Sequence, residues 1–179
     1  VHGHRHPALD AAIRAQLDKV AHTTLLGVTH PSAIELARRL VERAPEGLTR
    51  VFFSDDGATA VEVALKMAFQ YWRQKPDPEP RRTRFLALGS AYHGDTLGSV
   101  SVGGVARFHS MFEPLLFDDV RLPTPVGQAS SVPELLARLE ATLSKHSNEL
   151  AAVVIEPLVQ CAAGMLMHPP GYLRGVREL

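Results

Sequence analysis

Hydrophobic positions recur along the chain with two periods, and the alternation between them sets out the elements. Leu9, Ile13, Leu17 and Val20 are spaced by four, four and three, predicting an amphipathic helix over about 7–20, with Pro7 at its start. Ile34, Ala37, Leu40 and Val41 give a second helix its buried face. It opens at Pro31-Ser32, takes Ser32 with Glu35 as a capping box and ends near Ala44-Pro45. Residues 51–53 (VFF) form an apolar run suited to a buried strand, and Asp55-Asp56-Gly57 is a turn. Val61, Leu65, Ala68 and Trp72 then fall on one helical stripe. Glu62 and Lys66 lie on another side of that helix in the favourable i,i+4 order.

Further strands are predicted at 85–88 (FLAL), 120–122 and 151–155 (AAVVI), the last stopping at Glu156-Pro157. A short helix is expected over 96–102, closed by Gly103-Gly104. Another is capped by Ser131 with Glu134 and has Leu135, Leu136, Leu139 and Leu143 on its apolar side. A last helix begins at Pro169-Pro170. The segment after Trp72 (RQKPDPEPRRTR) reads as an exposed connection whose arginines have no role, and 123–131 reads as a loop. Residues 105–118 show no clean period and leave Phe108, Met111 and Phe112 for a partner surface. Apolar strands alternating with helices predict an α/β fold, a mostly parallel sheet flanked by helices.

Composition narrows the function classes. With 179 residues, 45% hydrophobic and 21% charged, the chain has the make-up of a globular domain or part of one. Nineteen basic and nineteen acidic residues cancel, which removes the electrostatic case for nucleic acid or an anionic membrane. Cys161 is the single cysteine, so no intrachain disulfide exists, and with no long apolar run a cytoplasmic chain is expected. His2, His4 and His6 alternate, but without a nearby acidic or cysteine partner they read as a solvated loop. The chain begins at Val1 and stops at Leu179 inside a predicted helix, so a fragment is expected: a helical lead-in over 1–50 and a partial large domain over 51–179.

Ligands of parallel sheets bind beyond the C-terminal ends of the strands. That edge carries Asp56-Gly57, Tyr92-His93 and Glu156. Asp56 stands as an N-cap, Gly57 allows close backbone approach, and the free N–H groups of the helix start suit a phosphate. Tyr92 can stack on a conjugated ring, His93 can orient its edge, and Glu156 can hold a neighbouring polar group. Together they outline a pyridoxal phosphate site. Taken separately, Asp-Gly and Tyr-His-Gly are ordinary turns and Glu-Pro is a strand end.

Those residues resemble the class III (fold type I) pyridoxal-phosphate aminotransferases. SDDGATAVEVALKMA is similar to that family's phosphate loop, AYHGDT to its ring-stacking segment and IEPLVQCAAGM to its Glu-Pro segment. The resemblance implies part of the large domain of a fold type I transferase, a homodimer in the complete enzyme, and pyridoxal 5'-phosphate as cofactor. It implies phosphate contacts from Asp56, Gly57 and Ala58, a ring cover from Tyr92 with His93 beside it, and Glu156 close to the cofactor. Gly27, in HTTLLGVTH, falls in a segment that borders the substrate, as Tyr92 does. Among family members, this chain is similar to those of biotin synthesis that pass an amino group from S-adenosylmethionine to 8-amino-7-oxononanoate.

Two departures stand out. The family commonly has serine where this chain has Asp56, and a carboxylate cannot donate to phosphate. The phosphate would then rely on backbone N–H groups, the helix dipole and a donor such as Thr59. The family's Schiff-base lysine and pyridine-binding aspartate are expected beyond Leu179, since Lys19, Lys66, Lys75 and Lys145 are all misplaced for that role. No catalytic residue is therefore assigned within these 179 positions. Rival readings are another class III aminotransferase acting on an ω-amino acid or diamine, a non-catalytic phosphate-ligand module, and a remnant with an empty site. No Gly-x-Gly-x-x-Gly or Walker lysine follows any predicted strand, which weighs against the module.

Overall fold

The structure is a computed structural model and describes residues 1–127 and 130–179, so the Gln128 and Ala129 part of the predicted 123–131 loop lies outside the described residues. It divides into two compact units, Val1–Phe53 and Ser54–Leu179.

In the first unit, α1 (Pro7–Leu17) stops short of the predicted Val20 and α2 (Pro31–Arg43) forms as expected, but the apolar face predicted to be buried in α2 is open, with Ile34 and Leu40 exposed. The predicted Ser32–Glu35 capping box does not form. Pro31 lacks an N–H and sits best at the first helical position, which makes His30 the N-cap, its Nδ1 accepting from the Ala33 N–H at 3.3 Å. Ser32 donates instead to Gln16, and Glu35 pairs with Arg38 and Arg39. Those two arginines hold the Glu35 carboxyl down at about 2. The strand predicted at 51–53 is also corrected. Three apolar residues become a strand only where a neighbour completes a ladder; 51–53 is irregular here and Phe52 is 64% exposed.

The second unit runs α3 (Gly57–Gln74), β1 (Arg84–Leu88), α4 (Leu97–Ser101), α5 (Ala106–His109), a 3-10 turn (Ser110–Leu115), β2 (Val120–Leu122) and α6 (Val132–Lys145). It continues through β3 (Leu150–Val154), β4 (Val159–Gln160), β5 (Leu166–Met167) and α7 (Tyr172–Glu178). The first three strands make a parallel sheet in the order β2-β1-β3, with Leu86 opposite Val120 and Val153. Parallel neighbours need crossovers, and the intervening helices supply them. The predicted α/β architecture is the observed one.

Side chains of β1 alternate between two cores. Leu86 and Leu88 join Val120 and Leu122 under Leu135 and Leu139 of α6 and Tyr172 of α7. Phe85 and Ala87 join Val102 and Ala151 under Leu65 of α3, with Val61, Ala68 and Trp72 alongside. The stripe predicted for α3 is thus the face it buries. Trp72 adds a bond from its indole N–H to the Ala151 carbonyl at 2.7 Å, tying α3 to β3. Such a bond contributes about 1 kcal/mol.

The arginines of the 73–84 connection have work after all. Arg82 lies 4.1 Å over the Trp72 ring and donates to the Leu150 carbonyl, while Arg84 reaches Glu149 and the Asp119 carbonyl. Glu62 is a further correction: it leaves Lys66 and accepts from the buried Gly98 N–H at 2.7 Å. A charged acceptor on a buried amide is worth several times an exposed i,i+4 pair. The β4–β5 hairpin was not predicted, its strands being two residues each and antiparallel. Among the described residues no helix is long and apolar enough to cross a membrane.

Candidate active site

The start of α3 and the loop after β1 meet in one pocket of about 730 Å³. It is lined by Asp56, Gly57, Ala58 and Val61 on one side and by Tyr92, His93, Gly94, Asp95 and Thr96 on the other. Asp56 caps the helix: its carboxylate accepts from the Thr59 N–H at 2.8 Å. The Thr59 hydroxyl answers by accepting from the Asp56 N–H and from Ser54, and donates its own proton to the Asp56 carbonyl at 3.0 Å. That hydroxyl is therefore committed to the cap and is not the free phosphate donor the sequence suggested. The amides of Gly57 and Ala58 lie in the first turn, where no intrahelical acceptor exists.

Contact between the two sides depends on small residues. Gly94 has φ +124, and a Cβ there would stand 2.5 Å from the Ala58 Cβ. A Cβ on Gly98 would strike the Glu62 carboxylate. Ser99 then bonds the Ala58 carbonyl at 3.1 Å, locking α4 to the first turn of α3. The loop itself starts from Ser90 at φ +60, a conformation uncommon outside glycine, two residues before the ring it aims.

Tyr92 is held at three places. Its hydroxyl donates to Asp95 at 2.7 Å, which also pushes its pKa up. Its ring meets Phe108 edge-on and lies nearly parallel to His109, 17° apart with centroids at 6.3 Å. Its N–H donates to Glu156 Oε2 at 3.0 Å. The other oxygen of Glu156 accepts from the Cys161 N–H at 3.1 Å, so this carboxylate joins the β1 loop to the β4–β5 hairpin. His93 lines the pocket with Nε2 buried and without a hydrogen-bond partner among the described residues.

The model for aminotransferase class-III matches residues 1–179. The chain belongs to the class III aminotransferases. As a class III aminotransferase chain it is 58% identical to an adenosylmethionine-8-amino-7-oxononanoate aminotransferase of Nitratidesulfovibrio vulgaris, the match covering all of this chain and 34% of that protein. A protein of the same name from Geobacter sulfurreducens is 50% identical, with 100% and 41% covered. The crystal structure of the Methanocaldococcus jannaschii adenosylmethionine-8-amino-7-oxononanoate aminotransferase superposes with TM-score 0.87 at 40% identity, over 98% of this chain and 39% of that one. An amine transaminase from an uncultivated Pseudomonas species, solved in its PLP-bound form, gives the same TM-score at 38% identity, over 98% and 42%. The chain thus spans about a third to two-fifths of the relatives it matches.

Within this class III chain, Asp56, Gly57, Ala58, Tyr92 and His93 share one pocket, whereas Glu156 stands behind the Tyr92 backbone and outside the lining. Gly27 belongs to the first unit, at φ +80 between α1 and α2. Lys66 lies on α3, and Lys75 pairs with Glu79. Among the described residues no three His, Cys, Asp or Glu side chains group as a metal site. Sequence reasoning missed the roles of Asp95 and His109. Asp95 left a signal, an acid three residues after a tyrosine in a tight loop; His109, in an aperiodic stretch, left none.

Burial lowers the pKa of both His93 and His109 from the usual 6.5, against the opposing pull of Glu156 and Asp95. Depressed folded values mean that the unfolded chain takes up these protons first. Stability is then fully present above about pH 6.5 and is lost as pH falls below it. A thermal-melt series from pH 7.5 down to 5.5 is expected to show a falling midpoint, with a shallower slope in His93→Gln.

Proposed function

We propose that the protein carrying this chain is a pyridoxal-phosphate-dependent aminotransferase. In this reading it exchanges the amino group of S-adenosylmethionine for the carbonyl oxygen of 8-amino-7-oxononanoate and yields 7,8-diaminononanoate for biotin synthesis. The observation that carries the cofactor reading is the pocket where first-turn amides, without a hydrogen-bond partner among the described residues, meet the ring of Tyr92. The substrate pair is supported by the names of the relatives that are identical at half or more of the residues aligned with this chain. The fold does not separate these substrates from those of the amine transaminase, which superposes equally well.

Pyridoxal phosphate supplies the electron sink that transamination needs. The residues here hold and orient it. Gly57 and Ala58 offer amides and the positive end of α3 to the phosphate, with Asp56 fixing that turn. Tyr92 covers the ring and borders the substrate, Asp95 sets its hydroxyl, His93 flanks it, and Glu156 fixes its backbone. Gly27 enters as a substrate-side residue on the likeness of its segment alone. A homodimer fits the exposure of Met111 and Phe112, apolar surface that an interface would cover, and a cytoplasmic setting fits the single free cysteine.

The decisive experiment uses the product of the complete gene. A chromophore made permanent by borohydride, and 7,8-diaminononanoate formed from S-adenosylmethionine but not from ω-amino acids or diamines, are expected. A folded product without chromophore would leave a phosphate-ligand module or an empty remnant as the better account. Asp56→Ser tests the phosphate position. Serine caps as well as aspartate, can donate, and removes a negative charge, so affinity for pyridoxal phosphate should rise about tenfold with helix stability unchanged. Unchanged affinity would move the phosphate away from α3.

A further inference from the structure

His109 is buried at 6% exposure, and neither of its ring nitrogens has a hydrogen-bond partner among the described residues. A neutral imidazole must keep one N–H, and burying it unpaired costs about 1–3 kcal/mol. Polar bonding therefore does not explain the residue's place, and ring packing does. The imidazole lies nearly parallel to Tyr92, and Phe108 meets both rings, at 6.3 Å from Tyr92 and 6.4 Å from His109. The imidazole also packs against Gly103, where a Cβ would collide with Cε1. The imidazole is thus held by close packing against Gly103 as well as against the two aromatic rings.

We propose that His109 is a positioning residue that sets the plane of the Tyr92 ring from behind, with Phe108 bracing its edge. Asp95 fixes where the phenol oxygen sits and Glu156 where the backbone sits, but a ring held at those two points can still turn about its Cβ–Cγ bond, whose line passes through the phenol oxygen. A flat neighbour removes that freedom. The consequence falls on whatever lies against the opposite face of Tyr92, which in the reading above is the cofactor ring; the inference rests on that reading.

The test compares His109→Phe with His109→Leu in the complete protein, since both side chains fill the space and only one is flat. Phe should hold affinity for pyridoxal phosphate and the visible circular dichroism of the bound cofactor within about twofold of the parent. Leu should weaken binding roughly three- to tenfold, the worth of one aromatic pair, and reduce the dichroism, with matching thermal melts for the two variants. In a Tyr92→Ala background, Leu should add no further loss of affinity, because the ring it positions is gone. Equal binding by the Leu and Phe variants, or losses that multiply in full in the double variant, would overturn the proposal. A parent that binds no pyridoxal phosphate would instead remove the functional reading itself.

Discussion

Gly94→Ala is expected to abolish pyridoxal phosphate binding by the complete protein and to lower its stability by about 3 kcal/mol or more. Two costs add. At φ +124 an L side chain is strained whatever the space around it, and here the space is taken. The new methyl would stand 2.5 Å from the Ala58 Cβ and 2.7 Å from its Cα, atoms fixed in the first turn of an 18-residue helix. A flexible side chain could swing aside, but a helix backbone cannot. The Tyr92–Asp95 loop must therefore lift off α3, separating the amides of Gly57 and Ala58 from the aromatic ring. Cofactor titration and thermal denaturation read the two effects. Gly164→Ala is the control, with φ +105 and nothing within 4 Å of the added Cβ. It should cost only the strain, about 1–2 kcal/mol, and leave binding intact. A Gly94→Ala protein that binds like its parent would show that the close approach serves the fold and not the site.

What the sequence disclosed and what it hid divide along a physical line. Elements with a long one-sided period, α3 and α6, were readable because burial of a stripe is written into neighbouring turns. So were β1 and β3, whose near-continuous apolar runs suit a parallel sheet: central β1 is buried on both faces, while edge strand β3 leaves Val153 exposed. Residues 51–53 have the same apolar character but no ladder, and a ladder is a property of a partner strand. Glu62 shows the same limit for a side chain. Its local partner Lys66 is visible in sequence, while the Gly98 amide that wins it lies 36 residues away. For the site, spacing placed Asp56 and Tyr92 after predicted strands, but what fixes Tyr92 is two hydrogen bonds, to Asp95 and Glu156, and a ring contact with His109, positions that no periodicity relates to one another.

Glu156→Ala should cost about 2–4 kcal/mol of stability and lower kcat/KM of the complete enzyme about a hundredfold. Both oxygens of this carboxylate are committed to backbone N–H groups, Oε2 to Tyr92 and Oε1 to Cys161. Alanine leaves both donors without an acceptor, and the loop that carries Tyr92 loses its tie to the end of β3. Glu156→Gln separates a structural from a direct role. A carboxamide has one oxygen and one NH2, so it can satisfy one of the two N–H groups and must turn a donor toward the other. If Glu156 acts through the Tyr92 backbone, stability, cofactor dichroism and turnover fall together, in the order parent, Gln, Ala. A Gln variant as stable as its parent, with unchanged dichroism yet slow turnover, would instead place the charge of Glu156 on the reacting groups. The two backbone N–H groups that Glu156 holds, and its place outside the pocket lining, favour the first outcome.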